Sequence, residues 1–184
     1  GNGSLMRVLP VALLHDDRQG ALALIDKAMR QSLPTHAHPR SLACCAQLVL
    51  WADGLICGLG VDRAWDEAAA TLRRFASGAD GASGSAMFSA SLQREVEIVL
   101  TPDPGYLPTG SGYVVDSLWS ARWALKHPTY ERVVRAAIRL GNDTDTTAAI
   151  AGGLAGLRDG LSAIPPRWLD GWRDREIVDG LLAR

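Results

Sequence analysis

Gly141-Asn142-Asp143-Thr144-Asp145-Thr146-Thr147, followed by Ala148-Ala149-Ile150-Ala151-Gly152-Gly153-Leu154-Ala155-Gly156, sets two carboxylates and a row of hydroxyls before a segment of small residues. The segment reads as a helix whose short side chains let neighbouring backbones approach closely. That points to a fold of tightly packed helices. The oxygen-only donors at its mouth suit a hard cation such as Mg²⁺. A second reading stays open here. Asp143 alone could be the helix N-cap, since Asp accepts from the unpaired N–H groups of a first turn. Capping explains one acid and not readily a run of poor helix formers. In a loop-to-helix turn, Asp143, Asp145 and Thr146 can face a common point.

Working outward, helical periodicity dominates and strand signals are almost absent. Ala21 to Gln31 reads as a helix with Leu22, Ile25 and Met29 on one face, ended by Pro34. Ser41 to Cys57 is the most apolar segment and is expected at the centre. A helix capped by Asp62 follows, with Glu67 a candidate to complete a looser cap, and Trp65, Ala69, Leu72, Phe75 and Ala76 form its apolar stripe. Ser77 to Ser91 reads as a Gly- and Ser-rich loop, Leu92 to Leu100 as a short helix, and Thr101 to Gly112, rich in Pro and Gly, as irregular. Further helices are expected over Tyr113 to Lys126, Tyr130 to Leu140 and Asp174 to Leu182, with a short one opened by Pro165-Pro166. Trp119 and Trp123, four residues apart, read as ordinary core packing. The sum is an all-α bundle.

At 184 residues the chain fits one domain, 1–184, large enough to bury a core. A net charge of −1 gives no electrostatic reason to expect nucleic acid or a membrane surface as partner. Cys44, Cys45 and Cys57 have neither a disulfide framework nor zinc spacing, so a reducing cytoplasm is the expected location. No secretory leader pattern is visible, and the apolar run Thr146 to Leu157 is too short to span a bilayer.

Three other stretches could carry chemistry. Gly1-Asn2-Gly3-Ser4-Leu5-Met6-Arg7 could form a turn whose backbone N–H groups cradle a phosphate, or be a frayed end. Thr35-His36-Ala37-His38-Pro39 offers two histidines without a third ligand nearby, so a loop histidine bonded to phosphate or backbone is a better reading than zinc. Gly110-Ser111-Gly112-Tyr113-Val114-Val115-Asp116-Ser117-Leu118 is a Gly-rich entry to a helix. There Gly112 would let a flat ligand lie on the backbone, and Tyr113 would either stack on a base or close the bundle.

In their order along the chain, these motifs and Ile164-Pro165-Pro166-Arg167-Trp168 resemble the ADP-ribosylglycohydrolases, and the resemblance covers essentially the whole sequence. It implies an all-α, orthogonal multi-helix bundle and a dinuclear Mg²⁺ site, with Mn²⁺ in some members. It implies hydrolysis of the N- or O-glycosidic bond between ADP-ribose and a protein side chain or small molecule. Carried over by motif, Asp143, Asp145 and Thr146 would bind metal, and Gly1, Asn2 and Gly3 would belong to the phosphate loop. His36 would contact ADP-ribose, with Gly112 and Tyr113 towards the adenine.

The resemblance also implies an earlier stretch with a Thr-Asp-Asp-Thr motif, which supplies the other metal ligands and an acid near the reaction centre. This sequence contains no Thr-Asp-Asp-Thr, and Asp16-Asp17 has no flanking Thr, so no catalytic residue is assigned. Two Mg²⁺ ions want about twelve oxygen ligands between them, and three side chains supply few of these. The expectation is therefore a C-terminal portion of such an enzyme, weak or inactive alone. It would work on an ADP-ribosylated protein or ADP-ribose derivative, pairing with the missing segment or with a second copy. Apolar surface would then be bare on the Ser41–Cys57 and Tyr113–Lys126 helices. The alternatives are a module that binds ADP-ribose or a partner without cleaving, and a purely structural protein.

Overall fold

The computed structural model describes residues 1–15, 19–79 and 90–182, and every regular element among them is helical. In chain order the α-helices are α1 (Pro10–Leu13), α2 (Gly20–Ser32), α3 (Pro39–Ile56), α4 (Val61–Ser77), α5 (Ala90–Leu100), α6 (Val114–Leu125), α7 (Tyr130–Arg139), α8 (Thr144–Asp159), α9 (Pro166–Asp170) and α10 (Arg175–Leu182), with a 3-10 turn, Leu161–Ala163, after α8. Asp16, Asp17 and most of the Ser77–Ser91 stretch lie outside the described residues. No helix among the described residues is long and apolar enough to cross a membrane.

Helix α3 is the axis of the molecule. His38 caps it, its Nδ1 accepting from the Arg40 amide at 3.1 Å, and Pro39 fits the first turn. From Ser41 to Ala52 every residue is buried, because α2, α4, α5, α6 and α8 surround the helix. A helix apolar on all sides is stable only when so enclosed. Cys44 and Cys45 lie in this core, and burial pushes both thiols above their ordinary range. Trp51 donates to the carbonyl of Val61 at 3.0 Å and meets Trp65 edge-on, with ring centroids 5.0 Å apart.

The small residues of α8 do what their size suggests. A Cβ on Gly152 would lie 3.3 Å from Val134 of α7, and one on Gly153 only 2.5 Å from Leu9 Cδ2. Helix α8 thereby nests against α7, α6 and α3, which fixes its N-terminus in the protein frame.

Four expectations are corrected. Leu22 is exposed, and Leu24 takes the inward place beside Ile25 and Met29. The residue before α4 is Gly60, with no side-chain cap bond; Asp62 sits inside the first turn and Glu67 pairs with Arg63 at 2.7 Å. Trp123 is exposed, and Trp119 is the half-buried partner of Trp65. On the anticipated Ser41–Cys57 and Tyr113–Lys126 helices the exposed large apolar side chains are Ile56, Tyr113 and Trp123, too few for a bare apolar face. Other exposed apolar side chains, such as Leu13, Leu14, Leu107 and Leu161, are spread over α1, the loop after α5 and the turn after α8.

Candidate active site

The turn between α7 and α8 is built by two successive left-handed residues, Gly141 (φ 78°) and Asn142 (φ 55°). Asn tolerates that region better than most residues with a Cβ. The turn is fastened to the loop before α6: Asn142 Nδ2 donates to the Thr109 carbonyl at 3.0 Å, and the Asp143 amide donates to the Gly110 carbonyl at 2.8 Å. Asp143 precedes α8, and its carbonyl accepts from the Thr147 amide at 3.1 Å. Its carboxylate makes no well-formed cap bond. Instead Oδ2 accepts from Asn2 Nδ2 at 2.7 Å, across 141 positions of sequence.

The first residues are not frayed. Asn2 is buried, and its side-chain amide also donates to Ser117 Oγ at 2.8 Å. Its carbonyl accepts from the amides of Leu5 and Met6, closing a tight turn. The His36 ring lies over this turn: a Cβ on Gly1 would sit 3.3 Å from Nε2, and one on Gly3 only 3.0 Å from Cε1. Glycine at these positions makes room for the imidazole. Arg7 ties the two loops together by donating to Thr35 Oγ1 at 2.7 Å, and Thr35 Oγ1 lies 2.8 Å from His36 Nδ1.

Gly112 faces the same point, since a Cβ there would lie 3.4 Å from Asp143 Oδ2. Tyr113 is 45% exposed, so it does not close the bundle. Its hydroxyl accepts from Arg40 Nη1 at 2.8 Å, and Arg40 Nε pairs with Glu95 at 2.5 Å. Thus the first turn, His36, Gly112 and Asp143 adjoin one another, with Thr146 buried and Asp145 exposed at the head of α8 and Tyr113 at the margin.

The Asn2 hydrogen bond holds the Asp143 carboxyl below its ordinary range; partial burial opposes this, and bonds involving Thr146 and Asp145 reinforce it. A depressed folded-state pKa contributes stability above the ordinary value of about 4, lost as pH falls through the lower folded value. Asn2→Ala is expected to move the Asp143 carboxyl upward in a carbon-NMR titration; an unmoved titration would contradict this. Asp143 and Asp145 stand two positions apart at the head of α8, and among the described residues neither forms an ion pair. Two adjacent carboxylates beside a hydroxyl fit a hard cation's preferences. Among the described residues no third His, Cys, Asp or Glu joins them.

Sequence reasoning gave no role to a polar stripe on α6. Asp116, Ser117 and Ser120 are all buried on one face of a helix whose other residues are apolar except Arg122. Ser120 Oγ accepts from the Gly110 amide at 3.0 Å, and Ser117 Oγ lies 2.9 Å from the Ser111 carbonyl. Asp116 Oδ1 accepts from the Tyr106 hydroxyl and from the Thr109 amide at 2.9 Å. Its Oδ2 accepts from the Ser111 amide at 2.6 Å, the Ser111 hydroxyl at 2.8 Å and the Thr109 hydroxyl at 3.0 Å. Burial disfavours the Asp116 charge, yet these donors outweigh it and hold the carboxyl below its ordinary range. The available signal was the spacing: an acid and two serines at i, i+1 and i+4 inside an apolar helix.

A sequence profile of the ADP-ribosylglycohydrolase family matches residues 1–184. The ADP-ribosylarginine hydrolase Tri1 of Pseudomonas putida (strain GB-1) is 30% identical over 175 residues, covering 92% of this chain and 41% of the relative. Its namesake in Serratia proteamaculans (strain 568) is 27% identical over 188 residues, covering 98% and 45% respectively. The ADP-ribosyl-dinitrogen reductase glycohydrolase of Rhodospirillum rubrum is 30% identical over 190 residues, covering 100% of this chain and 56% of the relative. The chain therefore spans about half the length of the curated relatives it matches. With the profile match over its whole length and an all-helical fold, the chain belongs to the ADP-ribosylglycohydrolase family.

Proposed function

We propose that these residues form the ADP-ribose-facing and cation-facing part of an enzyme that hydrolyses the N-glycosidic bond between ADP-ribose and a protein arginine. The carrying observation is the 2.7 Å bond from Asn2 to Asp143, which joins the glycine turn to the acid motif. Arginine as the linkage is suggested by the relatives named ADP-ribosylarginine hydrolase, one of them 30% identical. In this reading the Gly1–Gly3 turn receives the diphosphate, His36 lies along it, and Gly112 gives a flat group access to backbone. Tyr113, steadied by Arg40, is available to stack.

Asp143, Asp145 and Thr146 would hold Mg²⁺ or Mn²⁺, which when bound polarises a ribose hydroxyl or a water. Asn2 orients the Asp143 carboxylate and keeps it ionised. An octahedral Mg²⁺ takes about six oxygens, so remaining positions fall to water, substrate and groups beyond the described residues. The general acid or base is assigned to no residue of this chain. Residues 1–184 alone are accordingly expected to turn over slowly or not at all.

The test is release of free ADP-ribose from an ADP-ribosylarginine protein by the natural full-length protein. Release that requires Mg²⁺ or Mn²⁺ and stops with EDTA is expected. Tight binding of ADP-ribose without release would favour a non-cleaving module, and neither binding nor release would refute the site.

A further inference from the structure

We infer that Asp116 is a positioning residue whose carboxylate sets the register of the Thr109–Tyr113 loop against Asp143. The inference rests on the site proposed above and adds a residue outside its ligand-facing groups.

Three residues of the loop, Thr109, Gly110 and Ser111, are each held on two sides. Thr109 bonds to Asp116 through its amide and hydroxyl, while its carbonyl accepts from Asn142. The Gly110 amide donates to Ser120, while its carbonyl accepts from Asp143. Ser111 donates to Asp116 by amide and hydroxyl, while Ser117, which lies against its carbonyl, accepts from Asn2. The loop is therefore a spacer between α6 and the acid motif. Its position decides where the Asp143 backbone and Gly112 lie.

Only an ionised carboxylate of this length satisfies the donors. Each oxygen of Asp116 accepts an obligate backbone N–H, from Thr109 on one side and Ser111 on the other. An asparagine has one acceptor oxygen and one NH₂ group. Either orientation sets an NH₂ against a backbone N–H that cannot accept. The buried donor left without a partner must move, and the loop moves with it.

The probe is ADP-ribose at fixed Mg²⁺, titrated calorimetrically into the natural full-length protein, at a temperature well below each variant's melting point. Asp116→Asn is expected to weaken binding at least about tenfold. Tyr106→Phe removes one neutral bond, leaves both N–H bonds, and is expected to weaken it about threefold; it carries the test should Asp116→Asn not fold. A lowered melting temperature with unchanged affinity would mark Asp116 as merely structural and overturn the inference. So would unchanged affinity in Tyr106→Phe if the other variant is unfolded. Wild-type protein that fails to bind ADP-ribose overturns the site reading itself, and the inference with it.

Discussion

Asp143→Ala is expected to lower ADP-ribosylarginine hydrolysis by at least about 100-fold while leaving the protein folded. The half-buried carboxylate makes no well-formed cap bond to the first turn of α8, so the helix depends on it little. Asn2 keeps Ser117 as a partner, so the first turn stays anchored. The loss of stability should stay near that of a surface cap, about 1 kcal/mol or less. What disappears is one of two adjacent charges and the acceptor that joins the glycine turn to the acid motif. Asp143→Asn separates these contributions. It can still accept from Asn2 but carries no charge, and it should be nearly as inactive as alanine. Steady-state kcat/KM with a thermal melt measures both; an asparagine variant near the wild-type rate would show that the charge is not what matters.

Gly110→Ala is expected to destabilise the protein by about 2–4 kcal/mol and to reduce activity with it. Gly110 has φ 70°, a region that costs a residue with a Cβ about 1–2 kcal/mol. The added Cβ would also lie 2.8 Å from the Gly141 carbonyl oxygen and 2.8 Å from Leu140 Cβ. Neither can swing aside as a side-chain tip would. The clash falls on the seam where the Asp143 amide bonds the Gly110 carbonyl, so relief means opening the site. Gly153→Ala is the useful contrast: its Cβ would meet Leu9 Cδ2 at 2.5 Å, but that atom is the far end of a flexible side chain. Urea denaturation should show a clearly smaller loss for Gly153→Ala; equal losses would contradict this account of Gly110.

Much of the architecture was legible because local signals agreed. Pro39 and an unbroken apolar run announce α3, and the small residues of the acid motif announce a helix packed closely on its neighbours. The inward face of α2 was not legible, since apolar residues at 21–25 surround the helix and only tertiary packing chooses Leu24 over Leu22. Helix α1, four residues long, is below what periodicity resolves. The cap of α4 was missed because Asp62 outranks Gly60 by preference, yet the chain is already helical at Val61.

The candidate site divides the same way. Its members, from the glycine turn to Thr146, came from residue chemistry and motif resemblance combined, and the fold brings most of them together. Their wiring was hidden. Asn2 and Asp143 are 141 positions apart, and no local pattern couples them. Asp116 was visible as an acid in an apolar helix, but its donors come from a Pro- and Gly-rich loop whose path sequence does not specify.

The proposal that the first turn and the acid motif make one ADP-ribose site is tested most directly by heteronuclear NMR. ADP-ribose would be titrated into the natural full-length protein at fixed Mg²⁺ while backbone amides are followed. The account predicts concerted shifts of Asn2, Gly3, His36, Gly112, Tyr113, Asp143, Asp145 and Thr146, with one dissociation constant. Shifts confined to one of these segments, or centred elsewhere on the molecule, would contradict it.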